Sequence, residues 1–262
     1  MLAMACFPLG VDMRLDLQLA EACPSCFTGV LPDRVMHGRV SVPHGPDALL
    51  EERLAGNPSM EAVPDTPDDA IALALAGNRR FVEGQSTVYH QDMDLLHAQT
   101  ADHQHPFVAI LACADSRVPV GLVLDEHIGR VFVTRIAGNT ASTEVIASLE
   151  YAVAILGVKA IIVMGHTNCG AIKAAIRNDE VPGQISALFA GILPAISLAG
   201  GDDADPGEVT RQHVLNQVGV LTHASTVIDS RVKDGSLKVV PALYDVASGV
   251  VALLPERAPR AG

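Results

Sequence analysis

Three short, wholly apolar runs constrain how this chain folds: residues 107–112 (FVAILA), 131–133 (VFV) and 160–164 (AIIVM). None alternates with polar residues, as a strand with one wet face would. The pattern predicts parallel strands buried on both faces and separated by helices. One such helix is predicted over 143–156, which begins after Thr140 and Ser142 and closes at Gly157. Another is predicted over 68–82, where Ile71, Leu73, Leu75 and Phe81 recur among alanines behind a cap at Thr66 or Asp68. The fold class that follows is α/β, a central, mostly parallel β-sheet flanked by helices. Crossovers in such sheets are right-handed, and ligands sit beyond the carboxyl ends of the strands.

Two of those ends carry chemistry. The first run passes into Cys113-Ala114-Asp115-Ser116-Arg117, and the third into Gly165-His166-Thr167-Asn168-Cys169-Gly170. Two thiolates and one imidazole suit a borderline-soft ion such as zinc, and three protein ligands leave a fourth tetrahedral position for water or a carboxylate. Taken singly, a Cys that closes an apolar strand is more often an inert buried thiol, and an isolated H-x-x-C is common by chance. Their coincidence at two strand ends, with Asp115 two residues after Cys113, favours a metal site at Cys113, His166 and Cys169. A D-x-R pair is commonly a surface ion pair. Beside a metal ligand, Arg117 would instead hold Asp115 ionised and oriented through paired hydrogen bonds.

Charge and composition exclude several partners. A net charge of -12 and a pI near 5.1 oppose binding to nucleic acid or an anionic membrane. The strongest apolar stretch, 152–165, is too short to span a bilayer and contains Lys159. Residues 1–10 lack the basic start and sustained apolar core of a secretory signal. The cysteine count of 5 is odd and does not form a disulfide framework, so a reducing compartment, the cytoplasm, is expected. Residues 1–64 mix Pro, Gly, His and charges with no structural period. They read as a poorly ordered N-terminal extension ahead of a folded domain over 65–262. Within that extension, Cys23 and Cys26 form a C-x-x-C with no second pair to complete a zinc site.

The motifs CADSRVP (113–119), RIAGN (135–139), SLEYA (148–152) and GHTNCGAIKAA (165–175) together resemble the beta-class carbonic anhydrases. The resemblance continues through GNRRFVEG (77–84), VPGQISAL (181–188) and KVVPALYDVASGVVALL (238–254), so it covers the chain from about residue 66 onward. It implies one zinc ion per chain, held by Cys113, His166 and Cys169, with Asp115 and Arg117 as the catalytic dyad. It implies reversible hydration of carbon dioxide to bicarbonate and a proton by a zinc-bound hydroxide. Gln104 and the backbone N–H of Gly170 are the expected substrate contacts. In some members of the family the aspartate itself becomes a fourth zinc ligand in an inactive state. That state is often associated with a Trp-containing bicarbonate pocket, and the absence of Trp here points to an open site. The resemblance further implies a homodimer or homotetramer, with the helix near 68–82 as an exchanging arm. Two alternatives share the same zinc set: a carbonyl sulfide or carbon disulfide hydrolase, and a non-catalytic bicarbonate-binding protein. His90, His97, His103, His105 and His127 are available as proton relays, and none has a motif that selects it.

Overall fold

A computed structural model describes residues 63–87 and 100–255. All but the last two residues of the 1–64 extension, Cys23 and Cys26 included, lie outside the described residues, as do His90 and His97.

Helix α1, Pro67–Val82, begins where its sequence dictates. The Thr66 hydroxyl caps it by accepting from the Asp69 N–H at 3.1 Å, and proline occupies the first position. Asp68 and Asp69 in the first turn and Arg79 and Arg80 in the last complement the helix dipole. Strand β1 is Val108–Ala112, followed by the single turn α2, Val120–Val123, and by strand β2, Val131–Arg135. Helix α3, Thr143–Ala154, leads to strand β3, Ala160–His166, and helix α4 is Gly170–Ile176. Helices α5 (Leu193–Ala199), α6 (Pro206–Ala224) and α7 (Thr226–Lys233) precede strands β4, Lys238–Tyr244, and β5, Val251–Leu253.

The sheet order is β2-β1-β3-β4-β5, parallel throughout except for the antiparallel pair of β4 and β5. From β1 the chain steps to one side to form β2, then crosses to the other side to form β3. The switch point therefore lies between β1 and β3, where connections leave in opposite directions and open a crevice at the carboxyl ends. Ala112 is in register with Met164, so the residues after β1 stand level with the end of β3.

Alternate side chains of the strands fill two apolar layers. On one face, Ile110, Ala112, Ile162, Met164 and Ala242 pack with Ala70, Ile71 and Ala74 of α1. On the other, Ala109, Leu111, Ile161 and Val163 pack against Leu149 of α3, Val214 and Leu221 of α6, and Ile228 of α7. This accounts for the unbroken apolar runs of β1 and β3, which are buried along their whole length.

Two expectations need correction. Strand β2 is not buried on both faces: it is the sheet edge, no residue of it is fully buried, and Val133 is 38% exposed. Helix α3 stops at Ala154, two residues earlier than expected, and the chain turns through Gly157 at φ +72°. Strands β4 and β5 were not among the predicted strands, and β4 contains Pro241, a residue rare inside sheets. Its C=O accepts from the Leu254 N–H at 2.9 Å, so its ring nitrogen faces the point where the short β5 ends. The missing N–H therefore costs the ladder little.

Asn78 ties α1 to this sheet. Its amide donates to Val123 O at 3.0 Å and Gly249 O at 2.8 Å, and its carbonyl accepts from the Val251 N–H at 2.8 Å. The neighbouring Gly77 permits the approach, since a Cβ there would sit 1.8 Å from the Leu124 carbonyl oxygen. Asn78→Ala leaves three backbone groups without their partner in a buried place. The expected loss, measured by denaturant unfolding, is about 3 kcal/mol, at roughly 1 kcal/mol or more per group. A loss below about 0.5 kcal/mol, the level of an ordinary surface substitution, would contradict this role.

Candidate metal centre

The three candidate ligands are positioned by three different local devices. Cys113 follows β1 directly, and His166 is the last residue of β3. Asn168 takes a left-handed conformation at φ +59° and turns the chain back, so that Cys169, at the start of α4, faces the strand ends. All three are buried, with 3%, 1% and 3% exposure respectively. The two sulfurs lie 4.0 Å apart, and the three donor atoms all lie within 4.8 Å of one another.

This donor set fits zinc. With Zn–S bonds of about 2.3 Å, tetrahedral angles put two sulfurs about 3.8 Å apart, close to the separation found. The imidazole is oriented for ligation as well. His166 Nδ1–H donates to the Thr167 carbonyl at 2.9 Å, which leaves the Nε2 lone pair free. Nε2 is buried and has no hydrogen-bond partner, an arrangement that a metal ligand explains. Thr167 is itself fixed: its N–H donates to Tyr244 O at 2.9 Å, and its hydroxyl donates to Asp245 at 2.9 Å and accepts from the Val246 N–H at 3.0 Å.

The two thiols are not equivalent. Hydrogen bonding from Cys169 pulls the Cys113 thiol well below its ordinary pKa, against the opposing effect of burial. The Asp115 and Gly138 N–H groups, 3.4 and 3.3 Å from the sulfur, support the same thiolate. Cys169 is pushed up by its bond to Cys113 and by burial. Zinc requires both to be deprotonated, so binding releases protons.

Asp115 and Arg117 form a two-pronged pair at the rim, with Nε to Oδ1 at 2.9 Å and Nη2 to Oδ2 at 2.7 Å. The Arg117 N–H adds a bond to Oδ1 at 2.9 Å, and Nη2 also donates to Asn168 O at 3.2 Å. These bonds, led by that of the guanidinium, hold the Asp115 carboxyl well below the usual carboxylate range. Its Oδ2 lies 3.9 Å from His166 Nε2. Beneath the loop, Arg135 donates from Nε to Cys113 O at 2.9 Å and from Nη2 to Asp115 O at 2.5 Å, so the backbone carrying Cys113 and Asp115 is clamped. Arg135 stood in the RIAGN motif without an assigned task. His213, whose ring reaches the turn beside Cys113, gave no signal in the sequence because it stands alone on a helix.

The two expected substrate contacts are placed differently, Gly170 beside Cys169 and Gln104 away from it. Gly170 opens α4 with free space in front of its Cα. Gln104 is exposed and precedes β1, at the opposite end of that strand from Cys113. The five residues of β1 alone span roughly 16 Å, so Gln104 does not reach the crevice of its own chain. The rings of His103 and His105 lie near it, with centroids 6.3 Å apart.

A family model described as carbonic anhydrase matches residues 108–251. Carbonic anhydrase 2 of Mycobacterium tuberculosis is 35% identical over 193 residues, covering 71% of this chain and 93% of that protein. A carbonic anhydrase of Mycolicibacterium smegmatis is 36% identical over 184 residues, covering 68% and 88%. Among solved structures, the β-carbonic anhydrase CafA of Aspergillus fumigatus superposes with a TM-score of 0.59 at 27% identity, covering 72% of this chain and 92% of that one. Sequence kinship over nearly the full length of these relatives, on a fold whose switch point gathers a zinc-fitting donor set, makes this chain a member of the beta-class carbonic anhydrases, zinc enzymes that interconvert carbon dioxide and bicarbonate.

Proposed function

We propose that Cys113, His166 and Cys169 hold the catalytic zinc, and that Asp115 and Arg117 are the dyad that orients the reacting oxygen beside it. The convergence of the three buried donors carries this reading. Zinc bound there supplies a Lewis acid that lowers the pKa of a coordinated water. Two thiolates neutralise much of its charge, which makes the surrounding hydrogen bonds correspondingly important.

Asp115 is suited to accept a hydrogen bond at the crevice and so to orient the oxygen that reacts there. Its carboxylate stays ionised, and Arg117 fixes the direction of its lone pairs and holds it away from the metal, as an open site requires. Gly170 presents its N–H to a bicarbonate oxygen at the mouth. The wall behind is apolar, with Ile172, Phe189 and Ile192 packed around the two cysteines, which suits a small uncharged substrate. Neither alternative hydrolysis of carbonyl sulfide or carbon disulfide nor mere bicarbonate binding is favoured, since the dyad is intact and the relatives are named as carbonic anhydrases.

The working unit is a homodimer or homotetramer in which Gln104 serves the crevice of a neighbouring copy. Supporting this, β2 is a sheet edge with Val133 exposed, and Ile128, Tyr151 and Ile155 are exposed apolar residues. A cytoplasmic setting agrees with the free thiols of Cys113 and Cys169. No helix among the described residues is long and apolar enough to cross a membrane.

Two outcomes are expected. Removing metal with a strong chelator reduces carbon dioxide hydration to background, one equivalent of zinc per chain restores it, and Cys169→Ala holds less than about a tenth of the wild-type zinc when dialysed, as loss of one of three ligands should ensure. Full hydration activity in metal-free protein would contradict the assignment. Asp115→Asn keeps its zinc while kcat/KM falls on the order of 100-fold or more, the usual cost of losing one oriented hydrogen bond to the reacting oxygen. Because the folded carboxyl sits below its ordinary value of about 4, the dyad is fully present above that pH and fades only as pH falls through the lower folded value. The rate profile between pH 6 and 9 should therefore carry no inflection from Asp115, and an inflection abolished by Asp115→Asn in that window would overturn the role.

A further inference from the structure

Helix α6 places two polar side chains in the interior one turn apart. His213 is fully buried and Gln217 is 2% exposed. Both reach the segment that follows β2. The Gln217 Oε1 accepts from the Ala141 N–H at 2.8 Å, and its Nε2 donates to Gly191 O at 3.3 Å. His213 Nε2–H donates to Gly138 O at 2.7 Å. Gly138 in turn donates its own N–H to Cys113 Sγ at 3.3 Å.

Gly138 cannot hold that direction unaided. It takes a left-handed φ of +76°, followed by Asn139 at +41°, in a turn closed by the Asn139 N–H to Ile136 O bond at 2.9 Å. It has no side chain to pack, and a Cβ there would meet Ile192 at 3.1 Å. Among the described residues its carbonyl otherwise accepts a hydrogen bond only from the Thr140 hydroxyl, at the long distance of 3.5 Å. The bond from His213 is thus the short, directed contact that fixes this residue.

The choice of histidine is not explained by packing. Burial pulls its pKa down to about 4, so the ring is neutral near pH 7. With Nε2 as the donor, Nδ1 is left buried without a hydrogen-bond partner. An apolar side chain would fill the same space without desolvating that nitrogen. The Gly191 backbone also acts on the ring, but the short directed bond that the imidazole makes is the one to Gly138, and through it to the N–H aimed at the sulfur.

We propose that His213 is a positioning residue for the zinc ligand Cys113, acting through Gly138 to aim a backbone N–H at the sulfur. An N–H directed at a metal-bound thiolate draws charge from the sulfur and fixes its lone pairs, in the way outer hydrogen bonds orient other metal ligands. His213 is not one of the three converging donors and acts through Gly138. The proposal rests on Cys113 being a zinc ligand; if that fails, the cobalt(II)-substituted wild type itself lacks sulfur-to-metal charge-transfer absorption.

The test compares His213→Leu, His213→Gln and His213→Asn. The glutamine amide places a donor where Nε2 stands, whereas the asparagine amide ends one bond short. In the cobalt(II) proteins, His213→Leu and His213→Asn should shift the sulfur-to-cobalt band relative to wild type, and His213→Gln should restore it. Zinc affinity, measured by competition with a chromophoric chelator, should fall about 10-fold or more for Leu and Asn, the usual size of such outer-contact losses. Gln should lie within about threefold of wild type. If His213→Leu does not fold, the Gln and Asn variants carry the comparison alone. Wild-type band position and affinity in His213→Leu or His213→Asn would overturn the proposal. So would equal losses in Gln and Asn, or failure of all three to fold, because each indicates a packing role only.

Discussion

Burying two sulfurs and an imidazole nitrogen within 4.8 Å of one another leaves Nε2 of His166 with no hydrogen-bond partner among the described residues, and sets one thiol against the other. A divalent cation resolves both problems at once, satisfying the nitrogen and neutralising two thiolates. The rest of the molecule can be understood as the apparatus that brings these three atoms together and keeps competing groups away. Arg117 engages both oxygens of Asp115, Arg135 clamps the carbonyls of Cys113 and Asp115, and the hydroxyl of Thr167 is locked to Asp245 and Val246.

The sheet order makes this convergence available. β1 and β3 are hydrogen-bonded neighbours whose outgoing connections diverge, so a residue just past β1 and a residue ending β3 share one crevice without distortion of either strand. The left-handed turn at Asn168 then returns Cys169 to the same place. An antiparallel pairing of β1 and β3 would have put Cys113 and His166 at opposite ends of the sheet.

Much of this was legible in the sequence for a specific physical reason. Strands buried on both faces leave continuous apolar runs, and candidate donors at the ends of two such runs lie at the same carboxyl end of the sheet once the strands are parallel. The same logic misled at β2, whose Val131, Phe132 and Val133 are apolar although the strand is an edge: apolarity there reflects a surface left uncovered in the single chain. Pro241 disguised β4, since its tolerance depends on where β5 ends, a feature of pairing and not of composition. His213 was illegible because its significance rests on Gly138, 75 residues away, and no local pattern joins the two. Gln104 illustrates a different limit. A motif can name a residue without saying whose crevice it enters, and the length of β1 separates it from its own.

X-ray absorption at the zinc edge of the purified, active protein tests the central claim most directly. The account predicts one zinc per chain with two sulfur neighbours at about 2.3 Å and the remaining neighbours nitrogen or oxygen at about 2.0–2.1 Å. A shell made wholly of nitrogen and oxygen in active protein would contradict it.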